Sequence, residues 1–195
     1  MKQIFAFALL LGGVGLGLNA VAQDKVLDWS KLQLAGPGCP ATADAPKVQY
    51  SERSGRLLVY FNSMKVELGD RSIDRKACSL ALPIVLPPGK TLSLGKPAVF
   101  GRVELSDQAS LLVEAEVFEA GQKGPKASKE FSGSQKVARD FYARESETIE
   151  AECGSTTILR ANVTALARKA AASASGEAEV EGVALTAKLQ DCAVR

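Results

Sequence analysis

Four cysteines, Cys39, Cys78, Cys153 and Cys192, carry the most reactive side chains of this sequence, and histidine is absent from its 195 residues. Without an imidazole there is no Ser-His-Asp or Cys-His nucleophile, and the commonest metal ligand and near-neutral base is missing. A zinc site made of cysteines would need closely spaced C-x2-C pairs, and none occurs. Nor does the sequence contain G-x-S-x-G, a P-loop or a G-x-G-x-x-G between strand and helix; its glycine-rich run at 12–17 falls inside an apolar leader. The chain reads as a non-enzyme with no metal and no cofactor, and its cysteines as structural.

The leader explains why. Lys2 is followed by an apolar run and then by Ala20-Val21-Ala22, a small-x-small cleavage signal, so residues 1–22 are expected to be a signal peptide removed after Ala22. No later segment is long and apolar enough to be an integral membrane span. All four cysteines lie in the exported part, 23–195, which has the length of one domain. An even count in an oxidising compartment implies two disulfides, with three pairings open. The equal spacing of Cys39 to Cys78 and of Cys153 to Cys192 favours joining first to second and third to fourth. Each closed loop would then contribute about 4 kcal/mol on the loop-entropy model.

The other residue types capable of chemistry are carboxylates and aromatics. Glu104, Glu114, Glu116 and Glu119 could be cited for a two-carboxylate glycosidase, but carboxylates at i and i+2 also describe any solvated strand face. Asp70 and Asp74 lack the dense Asp/Asn pattern of a calcium loop and read as turn residues. Ligand contact falls to Trp29 and Tyr142, which adjoin polar segments, whereas Tyr60 lies in the most hydrophobic strand and is assigned to the core. Asn162-Val163-Thr164 matches the N-glycosylation sequon. The formal charge of +2 becomes +1 once Lys2 is removed, which argues against nucleic acid as a partner.

Strands must position these residues. Cys78, Leu80, Leu82, Ile84 and Leu86 alternate with less apolar neighbours, the period of a strand with one buried face, beginning near its cysteine. Pro83 donates nothing to a ladder, so it requires an edge or a bulge, and Pro87-Pro88-Gly89 ends the strand in a turn. Residues 56–68 read as one long strand. Val99, Gly101, Val103 and Leu105 alternate with Phe100, Arg102 and Glu104, and this strand is expected to form a hairpin with 111–119. Late in the chain Thr157 to Ala167 keep one phase, while Ala178 and Val180 give way to the opposite phase at Val183, placing a bulge at Gly182. Residues 168–176 between them read as a hairpin loop. Many short alternating strands with no amphipathic helix predict an all-β fold, an antiparallel β-sandwich or jelly-roll-like domain with two disulfides.

The landmarks then fall into a pattern: Gly38-Cys39-Pro40, Arg75-Lys76-Ala77-Cys78-Ser79-Leu80, Pro88-Gly89, Phe131-Ser132-Gly133, Cys153-Gly154 and a last cysteine near the end. In their order and spacing the chain resembles the small secreted proteins of domain of unknown function 4360. The resemblance implies export and a disulfide-tied β fold, and brings no activity or site residues with it. The expectation is a secreted or periplasmic binding or structural module with an envelope, matrix or protein partner. The alternative is a protein that binds a glycan or acts on one with carboxylates.

Overall fold

The computed structural model describes residues 26–40, 47–62, 64–133 and 135–193 and, within these, every side chain except those of 135–140. The expected leader lies outside the described residues. After a short 3-10 turn at Trp29–Lys31 come twelve strands: β1 Gln33–Ala35, β2 Lys47–Ser51, β3 Arg56–Tyr60, β4 Lys65–Glu67, β5 Ile73–Val85, β6 Lys90–Leu105, β7 Ala109–Glu119, β8 Lys126–Ser132, β9 Gln135–Arg144, β10 Thr148–Glu150, β11 Thr156–Lys169 and β12 Gly176–Asp191. One sheet has the order β1-β5-β11-β7-β8. The other has seven strands, β10-β6-β12-β3-β2, with β4 added on β12 and β9 on β6. All pairings are antiparallel. The fold is an antiparallel β-sandwich.

Alternation builds the core between the sheets. Leu80, Leu82 and Ile84 of β5, Leu111, Val113 and Val117 of β7, and Leu159, Val163 and Ala165 of β11 face Leu57, Val59, Leu92, Leu94, Val99, Val180, Val183 and Leu185 of the second sheet. Each fully buried Leu or Val contributes about 1.5–3 kcal/mol, and this is the main stabilising term. At the edges of the sandwich aromatics complete the seal. Phe131 of β8 packs on Phe141 of β9 with ring centroids 5.4 Å apart, and Trp29 packs on Tyr50 of β2 at 4.8 Å.

Three expectations change in detail. Residues 56–68 are not one strand but two, β3 and β4, both paired with β12. The break lies opposite Glu181, the extra residue of a bulge between Val180 and Gly182. Around it the Phe61 amide donates to the Glu181 carbonyl and the Val180 amide to the Met64 carbonyl. The bulge predicted at Gly182 therefore exists, one residue earlier, and it is what divides its neighbour. Next, β6 and β7 form no hairpin, and neither do β11 and β12, because the members of each pair belong to different sheets. Residues 106–108 and 170–175 are corners that carry the chain across the sandwich. Finally, β5 begins at Ile73, so Cys78 sits inside the strand and not at its start. Pro83 pairs only with β11, since β1 covers just Ala81 to Ser79 on the other side. It occupies a stretch of open edge.

The disulfides join Cys39 to Cys78, with Cα atoms 5.3 Å apart, and Cys153 to Cys192, at 5.9 Å. The first is buried, fixing the Gly-Cys-Pro turn against β5. There the Gly38 amide donates to the Ala77 carbonyl, and a Cβ on Gly36, at φ +127°, would come within 2.3 Å of the same oxygen. The second is solvent-facing at Cys153 and closes the end of β12 onto the β10–β11 connection. The Cys192 amide donates to the Gly89 carbonyl and the Gly154 amide to the Lys90 carbonyl, so this bridge clasps the turn between β5 and β6.

Candidate functional site on the outer face of the seven-stranded sheet

Because Val99, Val59 and Val183 point inward, their neighbours Phe100, Tyr60 and Gly182 must point outward. Register aligns them. Tyr60 of β3 lies opposite Gly182 of β12, Gly182 opposite Phe100 of β6, and Phe100 opposite Tyr142 of β9. The result is a row of three aromatic rings across four strands, with a glycine where a fourth side chain would stand. A Cβ on Gly182 would meet Phe100 Cζ at 2.6 Å, so the phenyl ring leans over the glycine. It reaches Tyr60 edge-on, with ring centroids 5.9 Å apart and planes at 75°. Tyr142 stands at the margin and is 48% exposed, one of the three large hydrophobic side chains that are open to solvent among the described residues.

Beside the row runs a groove of about 630 Å³. Its floor is small: Ala98 and Ala184 are opposite each other, buried yet outside the core cluster, and Thr186 continues the floor. Arg56 rises from β3 on one side and Tyr142 and Arg144 from β9 on the other, with Ser54, Lys96 and Glu145 also at the rim. Lys96 is placed by an irregularity in β6. It takes φ 47° next to Gly95, where the register with β12 shifts again, and its amide donates to the Glu147 carbonyl. Glu145 accepts from the amides of Ser146 and Glu147 and from the Ser146 hydroxyl. Those hydrogen bonds, the Ser146 amide first and then the Glu147 amide, hold its carboxyl below the usual glutamate range.

The face changes character along the strands. One row beyond the aromatics, Arg102 Nε lies 3.2 Å from Glu181 Oε1. Further on, Glu67, Glu177 and Glu104 align on β4, β12 and β6 around a second hollow. Lys65 Nζ meets Glu177 there at 2.9 Å, and the hydrogen bond and charge of that glutamate raise the lysine's pKa. Among the described residues no group of three or more His, Cys, Asp or Glu is arranged to hold a metal ion.

The residues singled out from the sequence are dispersed. Trp29 is half-buried on Tyr50, whose hydroxyl donates to the Ala187 carbonyl at 2.9 Å, and so belongs to the sandwich edge and not to the groove. Tyr142 stands on the aromatic face. Tyr60, assigned to the core, points outward instead, because the inward phase of β3 belongs to Leu57 and Val59. Phe100 was legible as an outward residue from its alternation with Val99 and Gly101, but only the structure shows that it meets Tyr60 and lies opposite Tyr142 in register. Glu114 and Glu116 lie on the other sheet, away from Glu104, with Glu114 bonded to Lys126 and Ser128. Asp74 accepts from the Glu67 amide at 2.9 Å. The sequon lies within a central strand, where Asn162 Oδ1 accepts from Ser79 Oγ.

The family model described as domain of unknown function (DUF4360) matches residues 28–191, from the 3-10 turn through the end of β12. The chain belongs to this family. The match takes in every strand of the DUF4360 sandwich and the whole of its aromatic face. No curated protein matches the sequence. Among solved structures, TmCBM61 in complex with β-1,4-galactotriose is 14% identical with TM-score 0.27, over 85% of this chain and 91% of that one. The enzymatically active domain of tailspike protein 4 from bacteriophage CBA120 is 12% identical with TM-score 0.25, over 85% of this chain and 20% of that one.

Proposed function

We propose that this DUF4360 protein is a non-catalytic binding module, exported to the periplasm or the cell exterior, that takes a glycan on the outer face of its seven-stranded sheet. The observation that carries the reading is the row Tyr60, Phe100 and Tyr142 beside a groove whose rim is hydroxyls and charged groups. A sugar ring has an apolar face and a hydroxyl edge. An exposed aromatic next to hydrogen-bonding groups is complementary to both. The two disulfides suit an oxidising compartment, and no helix among the described residues is long and apolar enough to cross a membrane.

A glycan array followed by calorimetry tests this. Binding should weaken about tenfold or more in Tyr142→Ala, the loss of one anchoring aromatic, with thermal stability nearly unchanged. Absence of binding to any glycan, or equal binding by the variant, would refute the reading. Capture of a protein partner through the same face would replace it with an envelope-protein interaction.

A further inference from the structure

We propose, building on that reading, that the ligand is an acidic oligosaccharide in which a carboxylate-bearing sugar sits in the groove and its neighbours along the chain are neutral. Three cations reach the groove, Arg56, Lys96 and Arg144. None of them is in an ion pair among the described residues. Among the described groove residues the one carboxylate, Glu145, is turned to the amides of Ser146 and Glu147 and forms no ion pair with these cations, so against three of them it leaves the groove with an excess of positive charge. The two arginines stand on opposite walls. Arg56 is on β3 and Arg144 on β9, with β12 and β6 between them, which separates the backbones by about 14 Å at ordinary strand spacing. Both planar guanidinium forks can therefore be directed at a group lying over Ala98 and Ala184. Such forks match a carboxylate with two parallel hydrogen bonds. Tyr142, next but one to Arg144 on the same face of β9, supplies the surface for the sugar ring itself.

The rest of the face limits the charge. Six residues along β6 from Ala98, about 20 Å, the same sheet presents Glu104 beside Glu177 and Glu67. A uniformly charged polyanion following the strands would meet these carboxylates and be repelled, whereas a chain with spaced charges would place its neutral sugars beyond the groove, over Phe100 and Tyr60. The geometry thus selects one acidic unit at the groove, and not a continuous anionic strand such as a nucleic acid.

The experiment compares four probes on the disulfide-intact protein by calorimetry: a neutral hexose oligomer, an oligomer alternating uronate with neutral N-acetylhexosamine, an oligogalacturonate and a heavily sulfated oligosaccharide. The alternating oligomer should bind tightest. Its affinity should fall about tenfold in Arg144→Gln and in Arg56→Gln, the size of one charged hydrogen-bonding contact, and should decline with added salt. Equal or tighter binding of the neutral oligomer, unaffected by either variant, would overturn the inference and leave glycan binding standing. Tightest binding of the oligogalacturonate or the sulfated probe would overturn the requirement for spaced charge. If no glycan binds, both the inference and the reading beneath it fall.

Discussion

Gly182 controls the aromatic row without contributing a ring to it. An added Cβ would lie 2.6 Å from Phe100 Cζ and 2.8 Å from the Val59 carbonyl oxygen. The phenyl ring could swing away, but the oxygen belongs to the paired strand β3 and cannot move without disturbing the ladder. Gly182→Ala should therefore cost about 1–3 kcal/mol, the usual range for overpacking. At this chain length that lowers the melting temperature by roughly 2–4 °C per kcal/mol. Thermal denaturation measures the loss, and an unchanged melting temperature would show that β12 has slack that the register does not suggest. Tyr142→Ala, which trims a half-exposed side chain at the margin, should cost about 1 kcal/mol or less by lost apolar contact. The two variants separate the support of the face from its contact surface.

At the level of elements, the sequence discloses phase better than partnership. The inward set Leu159, Ala161, Val163, Ala165 and Ala167 is visible from alternation and matches the buried side of β11. Alternation, however, only says which side of a strand is apolar. It does not distinguish a hairpin from a corner, because both sheets bury their inner faces against the same core. That is why 106–108 and 168–176 read as hairpin connections, whereas the chain crosses from sheet to sheet at 106–108 and 170–175. It is also why Tyr60 was not legible as a surface residue: both phases of 57–61 are apolar, and only burial of Leu57 and Val59 decides between them. The disulfides are legible as a pair but not in their exposure. Cys39 and Cys78 are 2% and 0% exposed, while Cys153 is open to solvent. Thiolate attack requires access, so mild reductant with trapping by alkylation should label Cys153 and Cys192 well before Cys39 and Cys78. Replacing Cys153 and Cys192 together by serine should cost about 4 kcal/mol on the loop-entropy model for a 39-residue separation. Peptide mapping and urea denaturation read the two outcomes. Earlier labelling of Cys39 would mean that the Gly-Cys-Pro turn opens more readily than its burial indicates.

For the whole molecule, the two outer faces differ in the groups they present. On the five-stranded sheet polar groups pair with one another, Ser79 with Asn162 and Lys126 with Glu114. On the seven-stranded sheet the aromatic row and the groove cations are presented outward, and this is the face proposed above to bind. Such a face needs a stiff support, and the topology provides one. β11 is covered by β5 and β7 on its two sides, and β12 by β6 on one side and by β3 and β4 on the other. These two strands follow each other in the chain and form the middle of the two sheets, whereas β1 and β10 are three-residue strands, each paired on a single side. Opening a central strand exposes apolar side chains of both sheets and breaks two ladders, while opening β1 or β10 breaks one short ladder. Native-state hydrogen exchange should therefore find its slowest amides in β11 and β12, at the global unfolding limit, and markedly faster exchange in β1 and β10. The amides of Gly182 in the aromatic row and of Ala184 at the groove floor should belong to the slow class. Fast exchange there would mean that this part of β12 opens locally and that the aromatic row is not rigidly supported.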